Sequence, residues 1–213
     1  MNVFVLSTGR CGSMTFSKAC RHITNYTSGH ESRAGRLGAD RLAYPENHIE
    51  ADNRLSWFLG KLEHSYGNRA FYVHLLRDEH ATARSFVRRY DRPQGIVHAY
   101  RQAILLHSSA DNAPLDVCLD YCSTVNANIE AYLRDKSRTM RFSMENAAHD
   151  FRRFWSLIGA EGDLEAAVRD WSVPYNASRT DAERSAAEPG GAARAARKLQ
   201  RIIRTLPAYL RDA

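Results

Sequence analysis

The chain has 213 residues, 44% hydrophobic and 25% charged. That is ordinary globular composition, long enough to bury a core without a disulfide or metal staple, and it argues against disorder. No run approaches the ~18 apolar residues of a membrane span, and Met1 to Ser7 reaches polar residues too soon for a secretory signal, so a cytoplasmic location is expected.

The net charge is +6, and of the 30 basic residues only Lys18, Lys61, Lys136 and Lys198 are lysines, which leaves 26 arginines. Arginine favours forked contacts to phosphate and carboxylate. A basic nucleic-acid-binding module is one reading of this charge. The bases are scattered among acids, however, and no stripe of bases and aromatics appears, so no nucleic-acid partner is expected. The four cysteines fit a reduced compartment. Cys118 and Cys122 read as buried thiols on one helix, and no His/Cys pattern marks a metal site.

In chain order, Val3 to Leu6 is a short apolar run bounded by Ser7-Thr8-Gly9 and reads as a buried strand. Ser13 to Arg21 reads as a helix, and residues 23–45 as mostly irregular. His48 to Ala51 reads as a short strand. Leu55, Phe58, Leu59 and Leu62 keep helical spacing, which predicts a helix from Leu55 to Leu62. Phe71 to Leu76 is a second buried strand, and a helix from His80 to Arg89 follows. Residues 97–134 read as two helices separated by the turn Asp111-Asn112-Ala113-Pro114. Thr139 to Met144 is a third clear strand. Phe151 to Ile158 is a helix stopping at Gly159, and Asp163 to Asp170 is another. Residues 175–193 read as a loop, and Arg194 to Tyr209 as a closing amphipathic helix. Strands alternating with helices predict an α/β fold with a central parallel sheet covered on both faces.

The sharpest feature is strand, loop, helix: Ser7-Thr8-Gly9-Arg10-Cys11-Gly12-Ser13 follows the first strand. Two glycines permit a tight turn and close approach to a ligand, and successive backbone N–H groups form an anion nest. Ser13 adds a hydroxyl donor and Arg10 a fixed positive charge. The plain alternative is a glycine-rich connection without a ligand. The triphosphate loop G-x-x-x-x-G-K-[ST] is not present, because Ser13 rather than Lys follows Gly12. No metal is therefore expected.

Thr8-Gly9-Arg10-Cys11-Gly12-Ser13 resembles the 5′-phosphosulfate loop of sulfotransferases that use 3′-phosphoadenosine 5′-phosphosulfate (PAPS). It is closer to the carbohydrate-type form, in which Arg is followed by a small residue, Gly and Ser. Met14 stands where a second hydroxyl often sits. A second motif, Leu75-Leu76-Arg77-Asp78-Glu79-His80-Ala81-Thr82-Ala83-Arg84-Ser85, resembles the family's 3′-phosphate motif, with Arg ending a strand and Ser eight residues on. Glu79 replaces its usual Pro. The alternative for Arg77-Asp78 is a strand-end ion pair. Thr139 to Ile158 loosely resembles the family's late strand and helix.

The resemblance implies one domain over residues 1–213, a three-layer P-loop-like fold with a helical accessory region near 86–135. It implies PAPS as co-substrate, PAP as product, and transfer of a sulfuryl group to a hydroxyl or amine of a small-molecule or carbohydrate acceptor. Thr8, Gly9, Arg10, Cys11, Gly12 and Ser13 would hold the 5′ group, and Arg77 and Ser85 the 3′-phosphate. Arg10 would stabilise the leaving charge. The remaining role is a base. Glu31 lies where carbohydrate-type sulfotransferases carry a catalytic Glu and is the first candidate, with His30 second and Glu50 in reserve. The alternative for His30-Glu31 is a solvated loop pair. His74, inside a strand, reads as a satisfied core histidine. The other enzyme reading is a metal-free nucleotide-binding phosphotransferase of the P-loop class.

Overall fold

The computed structural model describes residues 1–106 and 112–172, which belong to one compact unit. Five strands form one all-parallel sheet: β1 (Val3–Leu6), β2 (Thr27–His30), β3 (His48–Ala51), β4 (Phe71–Leu76) and β5 (Thr139–Ser143). Their spatial order is β2-β3-β1-β4-β5. β1 is central, pairing with β3 from Val3–Ile49 to Val5–Ala51 and with β4 from Val3–Phe71 to Leu6–His74.

The helices are α1 (Ser13–Ala19), α2 (Leu59–Ser65), α3 (Glu79–Val87), α4 (Ile96–Ala99), α5 (Pro114–Leu133), α6 (Ala147–Ile158) and α7 (Leu164–Arg169). Alternation along β1 sends Val3 and Val5 to one face, with Phe16 of α1, Phe151 and Phe154 of α6 and Ala167 of α7. Phe4 and Leu6 point the other way, onto Leu62 of α2, Phe86 of α3 and Tyr121, Val125 and Ile129 of α5. A strand buried on both faces reads as a near-continuous apolar run, which is why Val3 to Leu6 stands out in the sequence. Phe16 meets four rings edge-on, Phe142, Phe151, Phe154 and Trp171, with centroids 4.9–6.0 Å away. The architecture is the α/β fold with a helix-flanked parallel sheet that the sequence predicts.

Several local expectations change. Residues 23–45 are mostly irregular, as expected, but they also contain the edge strand β2. Its Thr-Ser-Gly-His sequence has no apolar side chain to signal it, and none of its residues is fully buried. The first helix ends at Ala19 and finishes as a tight turn, Cys20–His22. The helix expected from Leu55 to Leu62 divides into a turn, Asn53–Trp57, and α2. The Asp52 carboxylate caps the turn by accepting the Arg54 N–H, and Phe58 leaves helical geometry between the two. α3 begins at Glu79, one residue earlier than expected, because Asp78 caps it by accepting the Ala81 N–H. In 97–134, α4 runs into a π-helical turn, Tyr100–Ile104, while α5 starts on Pro114, where a missing N–H costs nothing. α6 reaches back to Ala147 and stops at Gly159, which has φ 64°. The loop 175–193, the helix from Arg194 to Tyr209 and the start of the Asp111–Pro114 turn lie outside the described residues. All four cysteines are free and buried. Among the described residues, no helix is long and apolar enough to cross a membrane.

One buried ion pair fixes the connection out of β3. Arg41 and Asp52 are 2% and 0% exposed and sit 2.5 Å apart. Arg41 also lies over the Phe58 ring and donates to the Tyr44 hydroxyl. Removing one partner of such a pair strands the other charge. Arg41→Ala should lower the unfolding free energy by ~3–5 kcal/mol in a denaturant titration. A loss below ~1 kcal/mol, the range of a surface pair, would contradict this.

Candidate functional site

In a doubly wound sheet, ligands bind beyond the carboxyl ends of the strands, where adjacent connections leave toward opposite faces. Here that point lies between β1, which leads into α1 on one face, and β4, which leads into α3 on the other. Both sequence motifs occupy it.

The first loop is held by its carbonyls. Arg77 Nη1 donates to the Arg10 carbonyl at 3.1 Å, and the buried Tyr121 hydroxyl donates to that of Thr8 at 2.8 Å. Ser56 Oγ donates to the Ser7 carbonyl, and the Cys11 thiol to that of Gly9. Gly9 and Gly12 have φ of 87° and 90°, and Arg10 between them has φ 63°. Such geometry favours glycine, and for Arg10 it is a local cost that the surroundings must offset. Among the described residues, nothing accepts from the N–H groups of Cys11, Gly12 and Ser13. The loop's acceptors are thus engaged while these three N–H groups are left to an incoming anion, as in a nest.

The two motifs are tied together. Arg10 Nε donates to Ser85 Oγ at 3.0 Å, across 75 residues of sequence, and Ser85 is buried in α3. Burial lowers the Arg10 guanidinium to about 10, helped by the positive charges of Arg89, Arg77 and Arg88. Asp78 does not pair with Arg77 among the described residues; its carboxylate caps α3. The strand-end ion pair is therefore replaced by the Arg77 bond to the first loop. Cys11 is buried, and burial pushes its thiol up, against hydrogen bonds from Thr8 and Thr82. It remains a protonated structural thiol.

A cleft of about 370 Å³ opens over the loop, lined by Arg10, Ser13, His30, Glu31, Arg54 and Arg89 among others. β2 and β3 bring His30 and Glu31 to it. His30 Nε2 lies 3.0 Å from Ser13 Oγ, and Glu31 Oε2 lies 2.7 Å from Arg54. Both residues are half-buried and partnered, unlike a solvated loop pair. Arg77 faces a second cleft, of about 630 Å³, lined by Ser123, Asn126 and Arg141 and by the carboxylates of Asp78, Glu79, Glu130, Glu145 and Asp150 among others. Among the described residues, no group of three or more His, Cys, Asp or Glu side chains could hold a metal ion.

Glu50 is not in the cleft. It is fully buried, accepting from Ser32 N–H and Oγ at 2.7 and 2.6 Å and lying 2.9 Å from His48 Nε2. It is therefore set aside as the reserve base. His74 is buried and bonded to Asn126, as a satisfied core histidine should be. Sequence reasoning missed Arg54, Arg89, Asn53 and Tyr121. Arg89 had a legible signal, because it lies four residues after Ser85. The others depend on where β3 and α5 pack.

Compared with protein-family models, curated proteins and solved structures, the chain matches none.

Burial pushes the Glu50 carboxyl up, but hydrogen bonds from His48 and Ser32 outweigh it and the net direction is down. A carboxyl depressed in the folded state contributes stability that is present above the unfolded value of about 4.3 and lost as pH falls through the folded value. Glu50→Gln should therefore be less stable than the unmodified protein at neutral pH. The gap should close as pH falls below about 4.3. Urea titrations across this range check it, and a gap constant with pH would contradict it.

Proposed function

We propose that this chain is a sulfotransferase, moving a sulfuryl group from PAPS to a hydroxyl or amine of an acceptor. The observation that carries the proposal is the convergence of Arg10, Arg77 and Ser85. Two motifs separated along the chain, each resembling one anion site of the same donor, meet at one point on the sheet. The local chemistry fits such a donor: loop N–H groups without a protein acceptor, crowded guanidinium groups and loop carbonyls already engaged.

In this reading PAPS supplies the sulfuryl group and departs as PAP. The N–H groups of Cys11, Gly12 and Ser13, with Arg10, bind the 5′ group. Arg77 and Ser85 bind the 3′-phosphate. A new S–O or S–N bond forms to the acceptor as the S–O bond to the 5′-phosphate breaks. The electron pair stays on the phosphate oxygen. Arg10 and the loop donors stabilise that charge as it grows. The acceptor's proton passes to a base at the cleft wall. His30 and Glu31 are both there: His30 touches the loop through Ser13, and Glu31 is oriented by Arg54. Direct metal assistance is not part of this proposal, and the acceptor is a small molecule or carbohydrate reached through the smaller cleft.

PAP should raise the melting temperature more than ADP, because only PAP carries a 3′-phosphate for Arg77 and Ser85. Arg77→Ala should remove that difference, at a cost of ~1.5–3 kcal/mol in PAP binding. Equal shifts with PAP and ADP in the unmodified protein would refute the 3′-phosphate assignment.

The base is tested by turnover. Whichever of Glu31→Gln and His30→Ala removes it should slow PAP release from PAPS by about 10²–10⁴-fold, with PAP affinity nearly unchanged. Near-normal rates in both variants would exclude this turn as the source of the base.

A further inference from the structure

Beneath the turn that carries His30 and Glu31 lies a buried polar cluster whose Glu50 and His48 do not line the cleft. Glu50, in β3, is fully buried and holds Ser32 twice, through its N–H and its hydroxyl. His48, two residues earlier on the same face, sits 2.9 Å from the Glu50 carboxylate. Its other ring nitrogen lies 2.8 Å from Thr27 Oγ1, at the opposite end of β2. Tyr44 stacks on the imidazole, 5.3 Å between centroids. The cluster therefore grips β2 at its first residue and again just past its last.

The fit is tight at Gly29. A methyl group there would lie 2.5 Å from Glu50 Oε2 and 3.1 Å from His48 Nε2. Glycine at 29 lets the carboxylate lie directly under the strand. The next residues have little freedom of their own choosing. Glu31 has φ 51°, a left-handed geometry unfavourable for a side chain with a Cβ, and its N–H donates to Ala51. A short edge strand would not hold that geometry alone. Two bonds from one buried carboxylate to the following residue offset the cost.

We infer that Glu50 is a positioning residue: through Ser32 it fixes the turn that sets His30 against Ser13 and Glu31 against Arg54. The inference rests on the proposal that this turn supplies the base. Glu50 itself touches neither the cleft nor the loop. A misplacement of about 1 Å at a reacting group is enough to cost about 100-fold in rate.

Ser32→Ala removes one of the two bonds to Glu50 from a solvent-exposed residue, and Ser32→Thr keeps the hydroxyl. Glu50→Gln removes the charge. Three readouts separate positioning from general stability: the side-chain ¹H–¹⁵N signals of His30, the affinity for PAP, and kcat and KM with PAPS. Ser32→Ala and Glu50→Gln should shift or broaden the His30 signals. They should leave PAP affinity and the KM for PAPS close to normal and lower kcat, by up to about 100-fold. Ser32→Thr should restore both the signals and the rate. His30 signals unchanged in a folded Ser32→Ala variant would overturn the inference, as would PAP affinity falling in step with kcat. If Glu50→Gln does not fold, the Ser32→Ala and Ser32→Thr pair decides. If the unmodified protein turns over no PAPS, the transfer reading fails, and the His30 signals of Ser32→Ala still decide this one.

Discussion

Four guanidinium groups crowd one loop at the carboxyl edge of the sheet. Arg10 sits half-buried on a left-handed backbone, and Arg77, Arg88 and Arg89 add their charges to its own. Like charges brought together in a partly desolvated place repel, and folding gains nothing from that repulsion. The protein contains it in part by hydrogen bonding. Arg77 donates to the Arg10 carbonyl, and Arg10 to Ser85. An anion with several charges would meet all four guanidinium groups at this loop, and on this the functional account depends.

The rest of the fold serves that concentration. Parallel strands bring the loops after β1 and β4 to the same edge, and opposite crossovers open a crevice between them. Tyr121, from the far side of the sequence, reaches under the first loop to bond the Thr8 carbonyl. The cleft's other wall is built differently. Its residues come from the turns after β2 and β3, the second of which is also anchored by the buried Leu55. Two buried polar pairs add to that anchoring: Arg41 with Asp52, and His48 with Glu50. Buried pairs of this kind add little net stability but fix geometry, which a reacting group needs.

Much of this was legible from residues alone. The apolar runs at Val3 to Leu6 and Phe71 to Leu76 marked the central strands, because strands buried on both faces read as near-continuous apolar runs. The loop from Ser7 to Ser13 and the Arg77 to Ser85 spacing were visible for chemical reasons, through glycines, a forked cation and hydroxyls at fixed intervals. β2 was not legible, since an edge strand reading Thr-Ser-Gly-His has no periodic apolar signal. Without β2 the burial of Glu50 was invisible too, and a residue that closes a buried cluster looked like a spare base. The guanidinium crowding was equally hidden. It arises from helix and strand ends that only the sheet order brings together.

Backbone amide shifts during a PAP titration test the central claim most directly. Cys11, Gly12 and Ser13 of the first loop, Arg77 at the end of β4 and Ser85 in α3 should move together, along a single saturating curve, because one ligand spans both sites. The same titration with ADP should move the first group and leave the second nearly still. Shifts confined to one loop, or the same pattern with both nucleotides, would contradict the account.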